Sequence, residues 1–187
     1  MSPDGGLRLA WVREESPVWD SGKIRVIGRA PPGAFVLGFA DGEELPGDWW
    51  SAQDSDGSVV GYGRLDTTWG GDAEILLAVD PGRQESGVGT FILVRLEEEA
   101  ATRGINYIHN RIREHSHRDV VHDWLVVRGF RGPVDGDLRR RVGVVRVPAG
   151  RAVPKPQERY DSAADPAGQG PGHEEQGGYV DVDEHRY

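Results

Sequence analysis

Six residues of the sequence, QESGVG at positions 84–89, have types and a spacing that could bind a phosphate group. They follow an apolar run and precede apolar residues at four-residue spacing, so we expect a strand, a turn and a helix in that order. A helix N-terminus has free backbone N–H groups and positive potential, which suits a pyrophosphate. Two glycines would let the backbone approach the anion closely. We assign the predicted anion site to Gln84, Glu85, Ser86, Gly87, Val88, Gly89 and the hydroxyl-bearing Thr90.

Two glycines separated by one residue also occur in other settings. A turn that only needs a flexible backbone is one alternative, and it stays open at this point. A Rossmann dinucleotide site does not fit, because Ile92 stands where the third glycine belongs and six residues separate the strand from the glycines. A Walker A loop does not fit either, because no Gly-Lys-Ser/Thr sequence follows.

Two segments of the chain resemble motifs of the GNAT superfamily of N-acetyltransferases. The segment 79–100, VDPGRQESGVGTFILVRLEEEA, is similar to its acetyl-CoA-binding motif, a strand ending in V-x-P followed by Q/R-x-x-G-x-G/A at a helix start. Gln84, Gly87 and Gly89 occupy the three defined positions. About 40 residues later, WLVVRGF at 124–130 resembles the family's helix that ends in Gly-Phe. The resemblance covers roughly 7–147 and implies acetyl-CoA as co-substrate, with an acceptor amine of unknown identity.

The resemblance also implies which groups of the chain take part in acetyl transfer. In the family, the central strand separates from its neighbour and its backbone binds the pantetheine arm; here that strand end is Leu77, Ala78 and Val79. The N–H of Val79 would polarise the thioester carbonyl. Glu74 lies near the position of the catalytic glutamate of the histone acetyltransferase branch, so we expect it to be the general base, directly or through water. The alternative is a strand-end glutamate in solvent or in a salt bridge.

The second motif departs from the family at two positions. Leu125 replaces a frequent tyrosine, and Arg118 stands near the place of an asparagine. The acid that protonates the leaving thiolate is therefore open, and His117 and His122 are the best-placed catalytic candidates, followed by His115 and His109. Each of these histidines could equally be a surface or partly buried side chain. The departures leave a second function open, a catalytically weak GNAT-fold module that binds acyl-CoA or regulates a partner.

The acceptor site and a metal site are less clearly indicated. The segment 19–50 and the side chains of Trp49, Trp50 and Trp69 could form a pocket for an apolar or cationic amine, although we favour core packing for at least two of them. Acids at strand ends, Asp66, Asp72 and Glu74, could help to attract a cation. Three histidines at 115, 117 and 122 do not share one helical face at zinc-ligand spacing, so we expect no metal.

Alternating apolar runs and turn signals position these residues within 1–147. We predict strands at 7–12, 49–53, 58–66, 73–80, 105–112 and 137–147, with helices at 18–29, from 87 or 88 to about 103, and at 119–128. This order predicts an α+β fold, and the resemblance implies the GNAT fold, a mixed, mostly antiparallel central sheet flanked by helices.

Composition limits the other possibilities. The formal net charge of -9 argues against nucleic acid or an anionic membrane as the main partner. The absence of cysteine excludes disulfides, thiolate zinc sites and cysteine nucleophiles. No signal peptide or membrane-length apolar run is visible, so we expect a cytoplasmic protein. The segment 148–187 is rich in Gly, Pro and acids, and we predict a disordered tail.

Overall fold

The computed structural model describes residues 8–36, 38–133 and 136–143. The tail predicted at 148–187 lies outside the described residues, and so does the end of the last predicted strand at 144–147. None of the helices within the described ranges combines the length and the apolarity needed to cross a bilayer.

A six-stranded sheet forms the centre of the fold, with the strands in chain order across it. Every neighbouring pair is antiparallel except β4 and β5, which are parallel. The expected α+β fold with a mixed, mostly antiparallel sheet is therefore confirmed. The strands are β1 Ala10–Glu14, β2 Asp48–Gln53, β3 Val59–Thr67, β4 Asp72–Val79, β5 Tyr107–Asn110 and β6 Leu138–Arg141.

In the described part of the chain, three α-helices flank the sheet: α1 Ser21–Val26, α2 Val88–Thr102 and α3 Arg118–Val127. Helix α1 packs with Trp49, Tyr62 and Ala78 on one face. Helices α2 and α3 pack on the opposite face, where Ile92 and Leu125 join the larger core cluster. The sheet therefore separates two apolar layers.

The first helix is shorter than the predicted range of 18–29. Val18 forms an isolated β-bridge with Glu44, so the chain is still extended there. The Asp20 side chain then accepts a hydrogen bond from the Lys23 N–H at 2.9 Å, which caps the helix and sets its start. Lys23 is fully buried and ion-paired with Glu14 at 2.7 Å, which joins α1 to β1.

Close packing of α2 on β3 depends on two glycines. A Cβ atom at Gly61 would lie 2.6 Å from Cδ1 of Ile92, and one at Gly63 would lie 2.7 Å from the Trp11 ring. Any larger residue would push the helix outward. These glycines thus let α2 lie close to the sheet.

Candidate functional site

The parallel pairing of β4 with β5 is short and ends at Glu74. Three residue pairs join the strands, the last of which is Glu74 with His109. On its other side β4 stays paired with β3 as far as Val79. Beyond this point the amide nitrogen of Asn110 donates to the Ile75 carbonyl at 2.9 Å. Within the described ranges, the β4 edge after Ile75 has no strand beside it, so a cleft opens there.

Backbone alternation decides which groups face this cleft. The Asp80 N–H donates to Val60 on β3 at 2.9 Å. In an antiparallel pair, bonded residues alternate, so the N–H and C=O groups of Ala78 point toward β3. Those of Leu77 and Val79 point the other way, to the open edge. The cleft wall thus offers two residues with free backbone donors and acceptors.

Directly after β4, the chain turns sharply into α2. The Asp80 side chain accepts from the Gly82 N–H at 3.0 Å and starts a short 3₁₀ turn, Pro81–Arg83. Gly87 has φ 87°, which glycine adopts without strain, and α2 begins at the next residue. Glu85 has φ 61°, a left-handed conformation that is strained for a residue with a Cβ atom.

The structure gives the residues of the predicted anion site different environments. Val88 is buried in the core, so only its backbone is available. The Ser86 hydroxyl donates to the Arg83 carbonyl within the turn. Gln84, Glu85 and Thr90 are exposed. A Cβ atom at Gly89 would lie 3.4 Å from the Trp124 ring and 3.6 Å from Val79, so this glycine lies beside the end of β4.

Arg128 adds a positive charge at the start of α2. Its guanidinium donates to the Thr90 hydroxyl at 2.9 Å and to the Trp124 carbonyl at 3.0 Å, and lies 3.8 Å from the Trp124 ring centre. Its Nε is buried without a hydrogen-bond partner, and no described carboxylate pairs with it. Burial lowers the pKa of Arg128. An anion beside Thr90 would supply the missing countercharge.

Sequence reasoning missed Arg128, and the signal available was small. It is the residue before Gly-Phe in the WLVVRGF segment, and nothing in that pattern places it beside Thr90.

Glu74 lies where β4 and β5 separate, on the sheet face that carries α1. Its carboxylate is 3.9 Å from the Arg64 guanidinium and has a side-chain exposure of 36%. The same guanidinium is 3.8 Å from Asp66. Glu74 is therefore reachable from solvent, and it also has the salt-bridge neighbour that the alternative interpretation expected.

His109 is the histidine that the fold brings next to Glu74. The two residues form the last pair of the parallel ladder, so their side chains lie on the same face. Two residues further on, the Arg111 guanidinium binds Asp137 through two hydrogen bonds, at 2.9 and 3.3 Å. The Arg111 guanidinium lowers the pKa of Asp137, and the nearby His109 lowers it further. In return Asp137 raises the pKa of Arg111, and the negative charge of Glu74 adds to this rise.

Of the two histidines chosen from the sequence, His122 lies on α3 and His117 directly precedes it. His117 is the residue before the helix, and its backbone N–H donates to His115 Nδ1 at 3.1 Å. Burial and the nearby His117 lower the pKa of His115. His122 Nδ1 is 3.1 Å from Asp123 Oδ1. No hydrogen bond in the described part of the chain joins His117 or His122 to Glu74, and their catalytic roles stay predictions.

Helix α3 buries Leu125, the residue that stands where the family often has a tyrosine. Leu125 is 2% exposed and packs in the core with Phe130. It offers no hydroxyl to a bound thiolate.

The three tryptophans considered for an acceptor pocket do not line a common wall. Trp49 and Trp50 are buried, which confirms core packing for two of the three tryptophans, and Trp69 is fully exposed in the β3–β4 turn. The nearby acids also have cationic neighbours. Asp72 is 2.6 Å from Arg139.

The loop after α1 reaches the chain beyond β5. A Cβ atom at Gly33 would lie 2.5 Å from the Glu114 carbonyl, so this loop packs on the segment that follows β5. Among the residues described, no group of three or more His, Asp or Glu is arranged to hold a metal ion.

Comparisons with known proteins identify a family that the chain matches. The Acetyltransferase (GNAT) family matches residues 11–130. A mycothiol acetyltransferase from Geodermatophilus obscurus is 48% identical over 50 residues, which cover 26% of this chain and 16% of that protein. The match therefore spans only a small part of the relative's length.

Several solved acetyltransferase structures align with about half of this chain. A putative GNAT-family acetyltransferase from Desulfovibrio desulfuricans has a TM-score of 0.46 and 20% identity, over 51% of this chain and 69% of that one. The ribosomal-protein-S18-alanine N-acetyltransferase from Escherichia coli has a TM-score of 0.41 and 18% identity, over 51% of this chain and 68% of that one.

Proposed function

Because the chain belongs to the Acetyltransferase (GNAT) family, we propose that it transfers the acetyl group of acetyl-CoA to the nitrogen of an amine. The observation that carries this proposal is the open edge of β4, which leads directly into the two-glycine turn at the start of α2. A long thioester with a pyrophosphate at one end matches an extended backbone edge that ends at an anion site.

The turn 84–90 and Arg128 would bind the phosphates. The first N–H groups of α2 have no partners within the helix, and Gly87 and Gly89 keep side chains out of their way. Arg128 lies beside Thr90 and has no carboxylate partner in the described ranges. These residues therefore offer both hydrogen bonds and charge to an anion.

The open edge of β4 would bind the pantetheine arm. Leu77 and Val79 offer backbone N–H and C=O groups that pair with amides as a neighbouring strand would. In this arrangement the Val79 N–H donates to the thioester oxygen, and the bond strengthens as negative charge develops there. The bound thioester supplies the activated acetyl group.

Glu74 would accept the proton that the amine loses. The amine nitrogen bonds to the thioester carbon, the carbon–sulfur bond breaks, and the leaving thiolate takes a proton. Glu74 lies at the head of the cleft and is accessible, so it can act directly or through a water molecule. His117 and His122 are the proposed acids, and His109 is a further candidate because it lies beside Glu74.

Release of free thiol tests this function. The full chain is mixed with acetyl-CoA and a panel of amines, and thiol release above the rate without an amine is the expected result. The buried Leu125 favours one alternative, a module that binds acyl-CoA without turnover. Tight CoA binding by calorimetry with no amine-dependent thiol release would support that alternative and contradict the proposal.

A further inference from the structure

We infer that the acceptor is an amine that also carries an anionic group, such as a carboxylate, and that an arginine-lined cavity beside β5 binds this group. The inference rests on the proposed function and names its substrate class.

The cavity lies between residues after β5, from Arg111 to Arg118, and the described residues Pro133, Gly136 and Asp137 before β6. Its volume is about 670 Å³, within the range of small-molecule sites. Among the described residues its lining includes three arginines, Arg111, Arg113 and Arg118, and two acids, Glu114 and Asp137. The other lining residues are one isoleucine, one proline and one glycine. This lining suits a charged ligand better than an apolar one.

The two acids already have cationic partners. Asp137 accepts two hydrogen bonds from Arg111, at 2.9 and 3.3 Å. Glu114 is 2.7 Å from Arg118. Arg113 is exposed and makes no hydrogen bond or ion pair with any residue of the described ranges. Among the described lining residues, Arg113 is therefore the arginine without an acid partner, and a carboxylate or phosphate would pair with it.

The cavity adjoins the place where the proposed chemistry occurs. Arg111 lies two residues after His109, the β5 residue that pairs with Glu74. The negative charge of Glu74 contributes to raising the pKa of Arg111. The loop after α1 packs against Glu114 at Gly33 and borders the same region. A small acceptor can therefore place its amine near Glu74 while its anionic group reaches Arg113.

A cationic acceptor fits this region less well. Asp66 and Glu74 share the Arg64 guanidinium, and Asp72 pairs with Arg139, so each acid at the strand ends already has a cationic neighbour. The net charge of -9 acts over the whole chain, but salt screens it beyond roughly 8–10 Å. The nearby guanidinium therefore decides the preference.

Matched acceptors test the inference. Amino acids with a free carboxylate are compared with their carboxamides, which keep the amine and lose the anion. We expect kcat/KM to favour the carboxylates by on the order of 10-fold or more, the scale of one charge-assisted hydrogen bond. Arg113→Ala should remove this preference by raising KM for the carboxylates alone. Arg95→Ala, which changes an exposed arginine paired with Glu98 on α2, is the matched control and should leave the preference intact.

Direct binding separates this inference from the proposed function. The full chain loaded with CoA is titrated with an N-acetylated amino acid and its carboxamide by calorimetry. Binding of the carboxylate that Arg113→Ala abolishes supports the anion site, even if no acceptor is turned over. Equal kcat/KM for acids and amides with active turnover overturns the inference and leaves the proposed function standing. A rise in KM for acetyl-CoA in Arg113→Ala overturns it too, because the cavity would then serve the cofactor.

Discussion

The side-chain amide of Asn110 donates a hydrogen bond to the backbone carbonyl of Ile75 at 2.9 Å, where the pairing of β4 with β5 ends. In a continued ladder, a backbone N–H of β5 would occupy this position. The side chain satisfies the carbonyl while the two strands diverge. Asn110 is thus a residue that keeps the cleft open without leaving a buried acceptor unpaired.

Replacing Asn110 should therefore destabilise the fold. Asn110→Ala leaves the Ile75 carbonyl without its donor, and we expect a loss of about 1–3 kcal/mol in the free energy of unfolding, measured with denaturant. Asn106→Ala changes an exposed asparagine just before β5 and should cost no more than about 0.5 kcal/mol. Equal stability of the two variants would contradict this role.

Substitution of Glu85 tests the phosphate turn through an expected gain in stability and in CoA affinity. Glu85→Gly relieves the left-handed backbone and removes an acid from the anion site, so both stability and CoA affinity should rise. Glu85→Ala removes the acid but keeps the strain. Glycine should exceed alanine in stability by about 1 kcal/mol, while both variants bind CoA more tightly than the parent in calorimetry. Weaker binding by both would place the phosphates elsewhere.

Gly89 should not accept an acidic side chain. Gly89→Glu places a carboxylate at the start of α2, close to Trp124 and Val79, where it would repel a phosphate. We expect CoA binding to be lost while the fold persists by circular dichroism. Gly38→Glu, at an exposed loop glycine with open space around it, is the control. Unchanged CoA affinity in Gly89→Glu would rule the site out.

Arg128→Ala should weaken CoA binding by on the order of 10-fold, because it removes the guanidinium beside Thr90. The salt dependence of binding should decrease as well. Arg131→Ala is a close control, since Arg131 donates to backbone carbonyls at the end of α3. Dephospho-CoA distinguishes the phosphate groups: if it binds both the parent and Arg128→Ala equally well, then Arg128 recognises the 3′-phosphate. No loss of CoA affinity in the variant would exclude the contact.

Glu74→Gln should lower kcat by about 10²-fold or more, the usual scale for a general base, with CoA affinity unchanged. Asp66→Asn is the matched control, because Asp66 lies opposite Glu74 on β3 and shares the Arg64 guanidinium. An unaltered pH–rate profile in Glu74→Gln would rule out its role as base.

Much of the fold could be predicted because its signals are local. The apolar run of β4, the turn with Gly87 and Gly89, and the four-residue spacing of α2 are neighbours in the chain, and each constrains the next. The boundaries of α1 were less accurate, since the extended conformation of Val18 depends on its bridge to the distant Glu44.

The sequence by itself determined the order of strands and helices, the two-glycine turn and the family, because periodicity, glycines and short motifs act over a few residues. Only the tertiary structure decided where β4 separates from β5 and that His109 lies beside Glu74. It also decided that Arg128 contacts Thr90 and that Lys23 is buried in an ion pair with Glu14. These relationships join residues from different elements. They depend on strand register and on the packing of helices against the sheet, and both are set by contacts between residues far apart in the chain.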